Sequence, residues 1–79
     1  MSFSNTNLLL TGSFNSVSLS GVNGIAGSGS NLGIWYTTNI GQTWTQSNLT
    51  TNNFNSVFLS GTNGIAGSGS SLGIYYTTN

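Results

Sequence analysis

The 79-residue chain contains no Lys, Arg, Asp, Glu, His, Cys or Pro; 35% of it is apolar, the remainder is Gly, Ser, Thr, Asn and Gln, and its formal net charge is zero. General acid–base catalysis, a strong metal site and neutralisation of nucleic-acid phosphates all need side chains that this inventory lacks, so no enzyme activity, catalytic residue, metal or cofactor is expected, and no nucleic-acid or anionic-membrane partner. A chain this short buries only about 60% of its unfolded surface and has neither disulfide nor metal to staple it, which leaves self-association as the stabilising device.

In chain order, Met1-Ser2-Phe3-Ser4 lacks the basic and apolar regions of a secretory signal, and the apolar run Leu8 to Leu10 is far shorter than the roughly 20 residues of a membrane helix; the cytoplasm is the default compartment. From Phe14 onward the apolar residues alternate with period two: Val17 and Leu19 share one side, Ile34 and Tyr36 share a side, and Trp35 points the other way. This predicts four antiparallel strands, about Phe14 to Ser20, Gly24 to Gly29, Gly33 to Thr38 and Thr43 to Ser47. Asn23-Gly24 reads as a type I′ hairpin turn, Gly29 to Gly33 as a second turn and Asn39-Ile40-Gly41-Gln42 as a third. Asn48 to Asn53 form a link. Ser, Thr, Asn and Gly disfavour helix throughout.

The chain then repeats. Phe14 to Asn39 lies over Phe54 to Asn79 at an offset of 40, with 22 of 26 positions identical and differences only at Ser18/Phe58, Val22/Thr62, Asn31/Ser71 and Trp35/Tyr75. The units are repeat 1, about 1–39, and repeat 2, about 40–79, in one all-β module. Such near-identity fits a recent duplication or an engineered fragment. Four short strands per 40 residues is the arithmetic of a β-propeller blade; a solenoid coil and a Gly/Ser-rich disordered chain are the rival readings, and the hairpin turns and nine aromatics argue against them.

Thr37-Thr38-Asn39-Ile40-Gly41-Gln42-Thr43-Trp44 resembles the Asp-box, or BNR repeat, whose pattern is Ser/Thr-x-Asp-x-Gly-x-Thr-Trp, at every defined position except the Asp, which is Asn39. The wider stretch is similar to blades of Asp-box propellers, including the photosystem II assembly factor-like and sialidase-like groups. The resemblance implies that Thr37, Asn39, Gly41, Thr43 and Trp44 build a structural turn between the third and fourth strands. Physically, Asn39 supplies a short acceptor, Gly41 a positive φ, and Trp44 an indole expected to fill the gap between sheets. Sialidase-like chemistry does not carry over, since it relies on Arg, Glu and Asp.

The second unit stops before its fourth strand, while Ser2-Phe3-Ser4-Asn5 stands before the first unit as Thr43-Trp44-Thr45-Gln46 stands before the second, with Phe3 in place of Trp44 and one residue extra. The N-terminal strand is therefore expected to complete a blade of a neighbouring chain. Copies then assemble head to tail into a closed ring, a homotrimer with six blades ahead of a homotetramer with eight. The alternative is a lectin-like propeller for a neutral glycan, with Trp35, Tyr36, Tyr75 and Tyr76, joined by Trp44, as stacking aromatics; packing between blades is the plainer use of these rings. Gly-Ser-Gly-Ser at Gly27 to Ser30 and Gly67 to Ser70 reads as a close-packed strand end and not as a phosphate cradle, because no Lys or helix follows. The hydroxyls read as neutral surface and cross-strand bonding groups.

Overall fold

A computed structural model of the chain describes residues 1–4, 6, 12–69 and 73–79; the readings above on Asn5, on Leu8 to Leu10 and on Ser70 and Ser71 fall outside them. The described residues form an all-β structure of two antiparallel sheets. In chain order the strands are β1 (Phe14–Ser20), β2 (Asn23–Ser28), β3 (Ile34–Thr37), β4 (Thr45–Gln46), β5 (Phe54–Ser60), β6 (Asn63–Ser68) and β7 (Ile74–Thr77). The first sheet has the order β1-β2-β3-β4 and the second β5-β6-β7, each a simple meander. No described helix is long and apolar enough to cross a membrane. Met1 to Ser4 form no strand within the single chain.

The first hairpin corrects the expected turn. The two-residue loop is Gly21-Val22, with Gly21 at φ 63°, and the closing pair is Ser20 with Asn23. Gly at positive φ in the first loop position is the pattern of a type II′ turn, and Gly61-Thr62 repeats it with Gly61 at φ 61°. Asn23 and Gly24 belong instead to β2. Gly24 stands opposite Leu19, and a Cβ there would lie 3.3 Å from Leu19 Cδ1 and 3.0 Å from Thr37 Cγ2. The second turn stands as read, with Asn31 at φ 64° and Gly33 at φ 73°. The fourth strand is shorter than the expected Thr43 to Ser47, because Thr43 and Trp44 are tied into the preceding turn.

Directly paired residues share a face. In the first sheet one face therefore carries Ser16, Ser18, Ile25, Ile34 and Tyr36, and the other carries Val17, Leu19, Ala26 and Trp35. Ile25 and Ile34 cluster with Phe54, Val57, Leu59 and Ala66, with Leu49 and Tyr75 packed alongside. The core is thus the seam between the sheets. Gly27 permits this approach: a Cβ on it would lie 3.0 Å from Phe54 O and 3.2 Å from Val57 Cγ1. Phe54 closes one end of the seam edge-on to Tyr75, with ring centroids 5.7 Å apart. At the bulges near Phe14 and Phe54, the Asn15 side chain crosses the seam and its Nδ2 donates to Phe54 O and Asn55 Oδ1.

Candidate functional site

Three arrangements concentrate the polar and aromatic side chains. The first is the turn joining β3 to β4. Thr37 Oγ1 donates to Asn39 Oδ1 at 2.8 Å and accepts from the backbone N–H of Asn39 and Gly41. Asn39 Oδ1 also accepts from Thr43 N at 3.0 Å, while Asn39 Nδ2 donates to Thr43 Oγ1 at 2.9 Å. Every polar atom of the Asn39 amide is thereby engaged inside its own turn. Gln42 N donates to Asn39 O, and the two central residues Ile40 and Gly41 both have positive φ, 62° and 85°. That is the type I′ pattern, which Gly41 suits and β-branched Ile40 does not. In the second repeat Thr77 and Asn79 make the first two of these bonds again.

Trp44 departs from expectation. Its Nε1 donates to Gly41 O at 3.0 Å, and its six-membered ring lies beside Gly41, 3.5 Å from where a Cβ would sit. The indole lids its own turn, and the residues packed on the inter-sheet core do not include it. The Gly41 carbonyl also accepts from the Thr6 hydroxyl, which brings that part of the N-terminal segment onto the turn.

The second arrangement is the set of four stacking candidates, which the fold separates. Trp35 lies on the face of the first sheet that points away from the second, and its Nε1 donates to Leu32 O at 3.1 Å. Tyr76 pairs with Ile65 on the outward face of the second sheet. Tyr36 and Tyr75 instead face one another's sheets, and both line a cleft of about 890 Å³ between the two sheets together with Ile25, Ile34, Leu59 and Ala66; Tyr76 is also among its lining residues, and Trp35 is not. The four rings do not form one platform. Tyr75 also packs against the core, the plainer role expected of these rings.

The third arrangement, absent from the sequence reading, is a ladder of hydroxyls across the seam. Strand β5 is paired on one side only, by β6, so its other edge presents unpaired backbone N–H groups. Val57 N donates to Ser16 Oγ (3.2 Å), Leu59 N to Ser18 Oγ (3.0 Å) and Gly61 N to Ser20 Oγ (2.8 Å). The serines alternate along β1, so all three hydroxyls project toward the second sheet. The available signal was Ser-x-Ser-x-Ser running out of phase with Val17 and Leu19.

The Gly-Ser-Gly-Ser segment has its amides occupied. Ser28 Oγ, fully buried, accepts from Ser30 N and Leu32 N, Ser28 N donates to Gly33 O, and Gly29 N donates to Ser13 O. The donors that a phosphate would need are spent closing the loop. Among the described residues no buried side-chain polar atom lacks a partner.

The chain matches no family model, no curated protein and no solved structure.

Proposed function

We propose that the chain is a non-catalytic structural module, two blades of an Asp-box-like β-propeller, that assembles with copies of itself into a closed symmetric ring. The observation carrying this reading is a contrast between equivalent residues of two nearly identical repeats. Val57 and Leu59 are each 7% exposed, whereas Val17 and Leu19 are 68% and 55% exposed; Ile25 and Ile34 are 8% and 7% exposed, whereas Ile65 and Ile74 are 54% and 78% exposed. Among the described residues each repeat therefore has one face packed on its sibling and one on which the equivalent apolar residues stay exposed, although Ala26 and Thr37, on that face of the first sheet, are buried. The two faces with exposed apolar residues are the complements of the two packed ones. Contiguous apolar surface of this kind, on a chain without charge to keep copies apart, favours association.

Among the described residues nothing pairs with the edge of β7 that corresponds to the one β4 occupies on β3, and that edge is the place where an N-terminal strand from a neighbouring copy would add. Gly33, beside the Leu49 segment, and Gly73, with nothing within 4 Å of an added Cβ, support this reading. Three copies give six blades and four give eight, with the trimer preferred. Native mass spectrometry tests it: the expected particle has three or four times the 8.2 kDa chain mass, and a folded monomer at micromolar concentration overturns the proposal.

The second reading, a binding module for neutral carbohydrate, draws on the inter-sheet cleft, where Tyr36 and Tyr75 stand on opposite walls amid amide and hydroxyl groups and no charge. Saturable binding on a glycan array, lost in Tyr36→Ala, would favour it; silence across the array leaves the structural role alone.

A further inference from the structure

The intrachain seam is a template for the contact between copies. We infer that the outward face of the second sheet docks head to tail on the outward face of the first sheet of a second copy, in the register of the intrachain seam. This inference rests on the self-assembly reading and names the residues through which it works. Adding 40 to one side of each intrachain contact, and subtracting 40 from the other, gives the pairing. Ser16 with Val57 becomes Ser56 with Val17 of the next copy, and Ser20 with Gly61 becomes Ser60 with Gly21. The close approach of Gly27 to Phe54 O and Val57 Cγ1 becomes that of Gly67 to Phe14 and Val17.

Three independent features leave room for this occupant. Among the described residues no strand pairs with the outer edge of β1, which carries the Val17, Leu19 and Gly21 amides and is the counterpart of the β5 edge that the serines cap. Gly67 has nothing within 4 Å of an added Cβ, although its equivalent Gly27 is pressed against Phe54. A groove of about 340 Å³, lined by Phe58, Ile65 and Tyr76, lies open on the outward face of the second sheet.

Two positions set the two seams apart: Tyr75, which packs edge-on to Phe54 within the chain, corresponds to Trp35, and the second difference changes the ladder itself. Ser18, whose hydroxyl caps Leu59 N within the chain, corresponds to Phe58, so the contact between copies replaces the middle hydroxyl by an exposed aromatic ring. In this register Phe58 lies over Leu19 of the next copy. The contact between chains is thus built as two hydroxyl caps flanking an apolar centre, the layout of a buried hot spot inside a polar rim.

Two experiments on the full chain test the inference. Gly67→Leu fills space that is empty in the single chain, so its sheet circular dichroism should persist while native mass spectrometry shows dissociation at a concentration about tenfold or more above the parent's. Second, the chain has no cysteine, so single-cysteine variants report contacts cleanly. A mixture of Ser56→Cys and Val17→Cys chains, treated with a short bismaleimide, should give a covalent dimer. Either variant alone should not, and the doubly substituted Ser16→Cys/Val57→Cys chain calibrates the reaction within one molecule. A monomeric parent overturns both this inference and the ring. An oligomeric parent whose Gly67→Leu variant assembles normally, or whose single-cysteine variants link to themselves, overturns the head-to-tail register alone, since self-linking marks a twofold contact.

Discussion

Replacing Ser18 by Ala removes the hydroxyl that accepts from Leu59 N at 3.0 Å and leaves that amide facing a methyl group inside the seam. A buried donor stripped of its partner costs about 1–3 kcal/mol; because Ser18 is only half-buried, the lower part of that range applies, about 1–1.5 kcal/mol. Ser16→Ala, acting on Val57 N at 3.2 Å in a similarly half-buried setting, should fall close to it. Ser20→Ala should not. Its bond to Gly61 N is shorter, 2.8 Å, but exposed, so water replaces the hydroxyl and the loss stays below about 0.5 kcal/mol. Urea unfolding at one fixed protein concentration, followed by Trp35 and Trp44 fluorescence, reads these differences; with a slope near 1 kcal/mol/M, Ser18→Ala should lower the midpoint by about 1 M. Ser18→Thr keeps the oxygen and should move it little. A neutral Ser18→Ala, or a Ser20→Ala as damaging as Ser18→Ala, would refute the idea that buried amide capping holds the sheets together.

Gly33→Ala places a Cβ 1.8 Å from Leu49 O on a residue at φ 73°, so clash and strain together should remove roughly 3–5 kcal/mol and abolish the cooperative melt. Gly73→Ala in the single chain meets only the φ penalty, about 1–2 kcal/mol, and differential scanning calorimetry separates the two. Phe54→Ala empties the buried site beside Tyr75 and should lose roughly 3–5 kcal/mol, a large share of the total for a chain this small, visible as loss of the near-ultraviolet circular dichroism. The parent has no side chain that changes charge between about pH 4.5 and 8.5, so its melting temperature should be flat there. Asn39→Asp introduces a carboxylate that accepts from Thr37 Oγ1 and Thr43 N. Those bonds favour the charged form and lower its folded pKa below the ordinary value of about 3.9, so a gain of about 0.5–1 kcal/mol should be present at pH 7 and vanish as the pH falls through that folded pKa. Melts at pH 7 and pH 2.5 check the sign.

The strands were legible because period-two alternation survives even in a sequence made largely of small polar residues. Val17 and Leu19 against Ser16, Ser18 and Ser20 announce two faces, and the repeat announces them twice. The first turn was misplaced by two residues because Gly21-Val22 and Asn23-Gly24 both satisfy local hairpin chemistry. What separates them is tertiary: Gly24 stands opposite Leu19 and Thr37, where an added Cβ would be crowded at 3.0–3.3 Å. Trp44 is expected in the gap between sheets, yet its N–H needs an acceptor and finds Gly41 O three residues back. The opposite directions of Trp35 and Tyr36 follow from period two alone, whereas which of the four rings faces the other sheet depends on how the two sheets pack. The hydroxyl ladder is not legible in the sequence because a serine acting across a seam is the same residue as a serine on a wet surface; only the outer edge of β5 gives it a partner.

The strained hairpin at Ile40 also bears on how the fold tolerates change. A β-branched residue holding a left-handed backbone survives there because the Thr37, Asn39 and Thr43 bonds fix the loop from both sides. The loop is overdetermined by bonds that span its tip from Asn39 to Thr43, so it has room for a residue better suited to positive φ at position 40 but none for an insertion that would part those two side chains.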